Sequence, residues 1–359
     1  MPVESRPLNL AELERSALEN ALAARGHERF RAGQIFQWIY RRGVTEAKGM
    51  TDLSRELRAT LASEFTLATP AIAARANSTD GTEKFLLRLA DGRQIESVFI
   101  PDTPAMTFCV STQVGCAMGC GFCLTGKMGL VRNLTAGEIV GQVRVLANAL
   151  DMRDKPFNIV FMGMGEPLHN YDETMKALRI LADPQGLAIN PRRVTLSTVG
   201  LLPAIERLAR EPIMPNLAIS LHAPTDAQRG ELVPLSKKYG VAEIIAACKK
   251  FPLKKRSRIT FEYVLLAGVN DRPEDARRLA RLLSGVKSKV NLIPLNAAPG
   301  IPFERPSDAA INRFAQVLAD HHLIVSVRKS RGRDIRAACG QLIVEGQRKS
   351  PAQQLAVMM

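Results

Sequence analysis

Between Thr107 and Val327 the chain repeats one pattern: a short apolar, β-branched run, a polar or glycine-rich break, then apolar residues at helical spacing. Strands are expected at 107–112, 157–162, 193–197, 216–221, 258–265 and 289–295. Helices are expected after them at 135–150, 170–181, 202–210, 241–251, 273–283 and 308–321, before a last short strand at 324–327. Thr135 followed three residues later by Glu138 is a capping-box signature for the first of these helices. Short strand-to-helix connections make the strands parallel, so the fold class is α/β, a partial (β/α)6 TIM-like barrel. Chemistry in such folds sits beyond the carboxyl ends of the strands.

Ahead of this unit, residues 1–75 read as helical, with periodic apolar stretches at 8–22, 34–40 and 53–65. Aromatic and basic residues interleave over 25–42, which suits either an RNA-contacting face or an amphipathic helix packing its aromatics inward. Residues 84–89 and 94–100, joined through Asp91-Gly92, read as a β-hairpin. The expected division is therefore a helical accessory domain (1–75), a hairpin extension (76–104), the barrel with its C-terminal segment (105–345) and a flexible tail (346–359).

The chain carries a formal charge of +14, which points to a polyanionic partner such as nucleic acid. The N-terminus has no apolar segment of the signal-peptide kind and no run reaches membrane-spanning length, so a cytoplasmic location and no membrane contact are expected. Six cysteines in a reducing compartment argue for metal or catalytic work over a disulfide framework.

Three of those cysteines, Cys116, Cys120 and Cys123, form a C-x-x-x-C-x-x-C array among Gly115, Gly119 and Gly121, just after the first expected strand. Structural zinc wants four ligands, commonly in paired units, and no second pair exists. Electron-transfer iron–sulfur clusters also take four cysteines. Three would leave one iron of a four-iron cluster open to a substrate.

With Phe122 just before Cys123, the array resembles the radical S-adenosylmethionine (SAM) superfamily signature, and Gly163-Met164-Gly165-Glu166-Pro167 resembles its glycine and glutamate motif. The segments 108–116, 124–127, 132–135 and 331–342 resemble the RlmN and Cfr family of RNA methyltransferases. That resemblance implies a radical SAM type of barrel, a 4Fe–4S cluster on Cys116, Cys120 and Cys123, and two SAM molecules per turnover. It places Gly165, Glu166, Ser197, Ser220, Leu221, His222, Asn296 and Phe122 at the cofactor.

The same resemblance makes Cys339 the acceptor of a methyl group from one SAM, Glu96 the base that removes the adenine proton, and Cys109 the residue that resolves the enzyme–RNA link through a disulfide with Cys339. It implies carbon-2 methylation of adenosine in 23S rRNA and in tRNA, a flavodoxin and flavodoxin reductase donor, and a monomer. The alternatives are carbon-8 methylation of the Cfr kind or a zinc-stabilised RNA-binding protein without catalysis. RNA binding would draw on the basic runs Lys249, Lys250, Lys254, Lys255, Arg256, Arg258 and 328–336. Cys248 and His169 carry no expected role, Cys248 being assigned to the core.

Overall fold

The structure, a computed structural model, describes residues 8–101 and 105–344; the tail expected at 346–359 lies outside them. Its centre is one ten-stranded sheet. In spatial order the strands are Val325–Val327, Ser288–Pro294, Ile259–Leu265, Asn216–Ser220, Val194–Thr198, Asn158–Phe161, Thr107–Cys109, Gln94–Ile100, Glu83–Arg88 and Ala71–Asn77. From Thr107–Cys109 to Val325–Val327 every pair is parallel and every neighbour is the next strand of the sheet in sequence. The end strands do not pair with each other, which makes this a partial barrel.

Helices follow the strands as the periodicity predicts. Ala136–Ala149 opens with the expected capping box: Glu138 N–H donates to Thr135 Oγ1 at 3.2 Å and Thr135 N–H to Glu138 Oε2 at 3.0 Å. It buries Ile139, Val140, Val143 and Leu146, the stripe read from the sequence. Tyr171–Ala182, Leu202–Leu208, Val241–Lys250, Pro273–Leu282 and Asp308–Asp320 complete the set. No helix among the described residues is long and apolar enough to cross a membrane.

The N-terminal half departs from expectation at its first segment and at the hairpin, and decides between the two readings of 25–42. Leu8–Asn9 is extended and pairs with Phe65–Thr66, so the first helix is only Arg15–Ala23; Asn9 accepts the Ala11 N–H at 3.0 Å and caps a short turn instead. The aromatics of 25–42 mostly pack inward, with Phe36, Trp38 and Tyr40 buried, so the core reading of that stretch holds for them; Phe30 alone is exposed. The hairpin is not an appendage. A third antiparallel strand, Ala71–Asn77, precedes it, crossing the boundary expected at residue 75, and Gln94–Ile100 pairs directly with Thr107–Cys109.

Candidate active site at the carboxyl ends of the strands

The first barrel strand stops at Cys109, three residues short of expectation, and the chain reforms as Gln113–Gly115, paired antiparallel with Leu130–Asn133. This narrow hairpin closes the base of the cysteine loop. Gly115 is obligatory there: its φ is +76°, and a Cβ would lie 1.9 Å from the carbonyl oxygen of Gly129. The next residue, Cys116, donates its N–H to that same oxygen at 3.0 Å.

Cys116, Cys120 and Cys123 face a cavity of about 160 Å³ at the carboxyl ends of the barrel strands. Gly163, Gly165 and Glu166 from the loop after Asn158–Phe161 line it too, with Ser197, Ser220, His222, Asn296 and Cys339. Phe122 stands in the wall with its ring 4.7 Å from that of His222, edge-on. Leu221 differs from expectation: its side chain is fully buried in the core, outside the cavity, because successive side chains at a strand end point to opposite faces.

Burial raises all three loop thiols, and Cys120 is raised further by its neighbours Cys123 and Cys116. A cationic centre reverses that preference by stabilising thiolates. Among the described residues no three His, Cys, Asp or Glu side chains converge on a single ion position. Three thiols lining one cavity fit a body of cluster size. Asn296 Oδ1 is buried in the same cavity without a hydrogen-bond partner, an acceptor free for a donor on a bound nucleoside.

Glu166 is buried, and desolvation lifts its carboxyl to about 7, opposed by hydrogen bonds from Val199 N–H at 3.0 Å and Leu168 N–H at 3.1 Å. The carboxylate thereby ties two strand-end loops together. Its own N–H donates to Gln113 Oε1 at 2.9 Å, and the preceding Gly165 has φ +104° and would place a Cβ 2.6 Å from Gln113. His222 is pushed down to about 3 by burial and by Arg229, so it is neutral. Its Nδ1 accepts the Val264 N–H at 3.1 Å, which leaves the ring proton on Nε2.

The C-terminal segment lies across this face without regular structure and is held from two sides. The cysteine loop holds it through Leu124 N–H to Gly340 O at 2.8 Å and Thr125 Oγ1 to Leu342 O at 2.6 Å. The antiparallel strands hold it through Asp80 Oδ2, which accepts Gly332 N–H at 3.0 Å, and Asp334 Oδ1, which accepts Ser78 Oγ at 2.6 Å. Asn296 Nδ2 donates to Cys339 O at 3.2 Å, setting the cysteine itself.

Cys339 also lines a smaller cavity, about 70 Å³, with Cys109, Cys123 and Arg328. The disulfide expected between Cys109 and Cys339 is not formed: all six cysteines are free, and burial pushes the Cys109 thiol up to about 12, which keeps it protonated. Glu96 lines neither cavity. Its carboxyl is raised by burial, countered by Lys84, which it meets at 2.9 Å. Cys248 is buried in the core as expected, and His169 Nδ1 is 3.0 Å from Gln113 Nε2.

Sequence reasoning missed two charged groups here. Glu262, on the strand Ile259–Leu265, reaches the main cavity and accepts Asn291 Nδ2 at 2.7 Å. Arg229 is buried behind the cavity and donates to the carbonyl oxygens of Leu221 at 3.0 Å, Ser220 at 3.3 Å and Val199. Thr225, which caps its helix Asp226–Leu232, was the one local signal within an apparent loop.

The profile of the Radical SAM superfamily matches residues 110–280, and that of the ribosomal RNA large subunit methyltransferase N-terminal domain matches residues 8–67. A relative from Geobacter sulfurreducens, named dual-specificity RNA methyltransferase RlmN, is 50% identical over 340 residues, 95% of this chain and 92% of the relative. One of the same name from Anaeromyxobacter dehalogenans is 47% identical over 357 residues, 98% and 96% of the two chains. The crystal structure of a radical SAM methyltransferase from Sphaerobacter thermophilus superposes with a TM-score of 0.89 at 50% identity, covering 94% of this chain and 99% of that one.

Proposed function

The chain belongs to the RlmN family of radical SAM RNA methyltransferases, and on that premise we propose that it methylates carbon 2 of adenosine in 23S rRNA and in tRNA, through an S-methylcysteine on Cys339 and a covalent enzyme–RNA adduct. The observation that carries this reading is the convergence of Cys339 on the cavity of Cys116, Cys120 and Cys123, more than two hundred residues earlier in the chain.

Cys116, Cys120 and Cys123 would hold the 4Fe–4S cluster, which supplies the electron that cleaves SAM to a deoxyadenosyl radical. Around it, Glu166, Ser197, Ser220, His222 and Asn296 present acceptors and donors for the amino acid, ribose and adenine of SAM, while Phe122 supplies an apolar wall. Cys339 does two things in succession. As a thiolate it would attack the methyl carbon of one SAM, forming its S–CH3 bond as S-adenosylhomocysteine leaves. Its methyl carbon would then be the one delivered to the adenine ring, once the bound cluster and a second SAM have taken a hydrogen atom from it, the adduct giving up one electron to the cluster and one proton to a base.

Arg328 lines both cavities beside Cys339, and its guanidinium would favour the thiolate needed in the first step. Glu96, its carboxyl raised by burial, is the residue proposed to take the adenine proton, although in this structure it lines neither cavity and is held by Lys84 and the Ile343 N–H. Cys109 shares the smaller cavity with Cys339.

The test is to incubate the reconstituted protein with methyl-labelled SAM and map peptides. Label on Cys339, with 2-methyladenosine in RNA subsequently offered, is the expected result. Label on RNA with none ever on Cys339 would defeat the mechanism, and 8-methyladenosine would replace the carbon-2 assignment with its carbon-8 counterpart.

A further inference from the structure

The basic run of residues 249–258 does not reach the active-site mouth. It precedes the strand Ile259–Leu265 and so lies at the amino-terminal end of the barrel, whereas the cofactor cavity is at the carboxyl end. There Arg192, Lys254, Arg256, Arg258 and Lys289 surround a hollow of about 400 Å³ whose other lining groups are hydroxyls and one amide. No carboxylate lines it, and none of the five cations forms an ion pair among the described residues.

Its floor is built by strand register. Thr195, Thr260 and Lys289 are each the second residue of a barrel strand and Asn216 is the first; Thr195 pairs with Asn216, and Thr260 with Lys289. Two residues further on, the layer of Glu262, Asn291 and Ser326, hydrogen-bonded at 2.7 and 3.0 Å, stands between this hollow and the cofactor cavity. A strand of this length spans roughly 20 Å, so a group bound here cannot touch the methylated base.

We propose that this basal hollow is a second RNA site, one that takes backbone phosphates of the substrate at a distance from the target adenosine. It rests on the reading of the chain as an RNA methyltransferase. Forked guanidiniums beside hydroxyl and amide donors match phosphate oxygens, and no carboxylate opposes them. The site adds affinity and position and carries no sequence information.

The experiment compares the full chain with a Lys254→Gln, Arg256→Gln, Arg258→Gln variant for binding to a transcribed tRNA and to its isolated anticodon stem-loop, across a salt series. The three side chains are exposed and unpaired, so an unchanged melting temperature is expected. Affinity for the whole tRNA should fall on the order of tenfold or more and its log–log salt slope should flatten by roughly two, with stem-loop binding unchanged. Unchanged tRNA affinity and slope, or equal losses on both RNAs, would overturn the second site while leaving the methyltransferase reading standing. Wild-type protein that binds neither RNA would overturn both. Intact RNA binding with slower reduction by a flavodoxin would assign the surface to an acidic protein and overturn the RNA site.

Discussion

The carboxylate of Glu96 accepts the backbone N–H of Ile343 at 2.8 Å, joining positions 247 residues apart. Its other oxygen pairs with Lys84 at 2.9 Å. The proposed base is therefore also a clasp on the segment that carries Cys339, and two substitutions separate the roles. Glu96→Ala orphans both partners, should cost about 2–3 kcal/mol, and should speed hydrogen exchange around Ile343. Glu96→Gln retains an acceptor, so the segment stays protected while the methylation rate loses its rise with pH as the carboxyl ionises. A Gln variant with wild-type rate and pH profile would remove Glu96 from the chemistry.

Glu166 makes a pH prediction for the metal-free chain. Its carboxyl, ordinarily at 4.5, is lifted to about 7 by burial, so between those values the folded chain holds a proton that the unfolded chain has released. Stability contributed by this group is complete below 4.5 and is lost as pH rises through 7, by roughly 3 kcal/mol in all. Glu166→Gln removes that slope but offers one acceptor to two N–H groups, Leu168 and Val199, and so is weaker at low pH. Urea titrations of both proteins at pH 5 and pH 8 check this; identical pH slopes would refute the assignment.

Much of this site was legible in the sequence because its chemistry is local. The cysteine spacing, the glycine and glutamate motif and the Thr135 capping box each lie within a few residues, and periodicity placed them on one edge of a parallel sheet. What was illegible depended on distant partners. Ala71–Asn77 is rich in alanine, a helix former, and is a strand because Glu83–Arg88 offers it an edge. Phe36, Trp38 and Tyr40 fitted two readings until packing showed where they point. Arg229 and Glu262 belong to no short motif, and only the carbonyls and the amide they meet identify them.

Gly115→Ala should be among the most damaging single changes in the cysteine loop. The left-handed backbone and the contact with Gly129 O at 1.9 Å leave no room for a methyl group, so the hairpin base must open. A local cost above about 2 kcal/mol is expected, borne by the loop while the barrel persists. Iron content after reconstitution and its visible absorbance should drop severalfold, with far-ultraviolet circular dichroism little changed. Full iron loading of the variant would show that the cysteines do not need this turn.

Arg229 is the keystone of the cavity's back wall. Its guanidinium binds the carbonyls of Val199, Ser220 and Leu221, where two neighbouring strands end, and burial lowers its pKa only to about 10, so it is charged at neutral pH. Those carbonyls belong to the turns that present Ser197, Ser220 and His222 to the cavity. Arg229→Met keeps the bulk but withdraws every donor, costing on the order of 3 kcal/mol and letting the two strand ends part. Arg229→Lys restores the charge with a single compact donor head and should recover part of the stability without the spacing. SAM affinity, measured by equilibrium dialysis on the reconstituted chain, should fall tenfold or more in the Met variant and stay reduced in the Lys variant. If Lys recovered wild-type affinity, the charge alone would matter, and the forked contact with both strand ends would have no part in shaping the cofactor site.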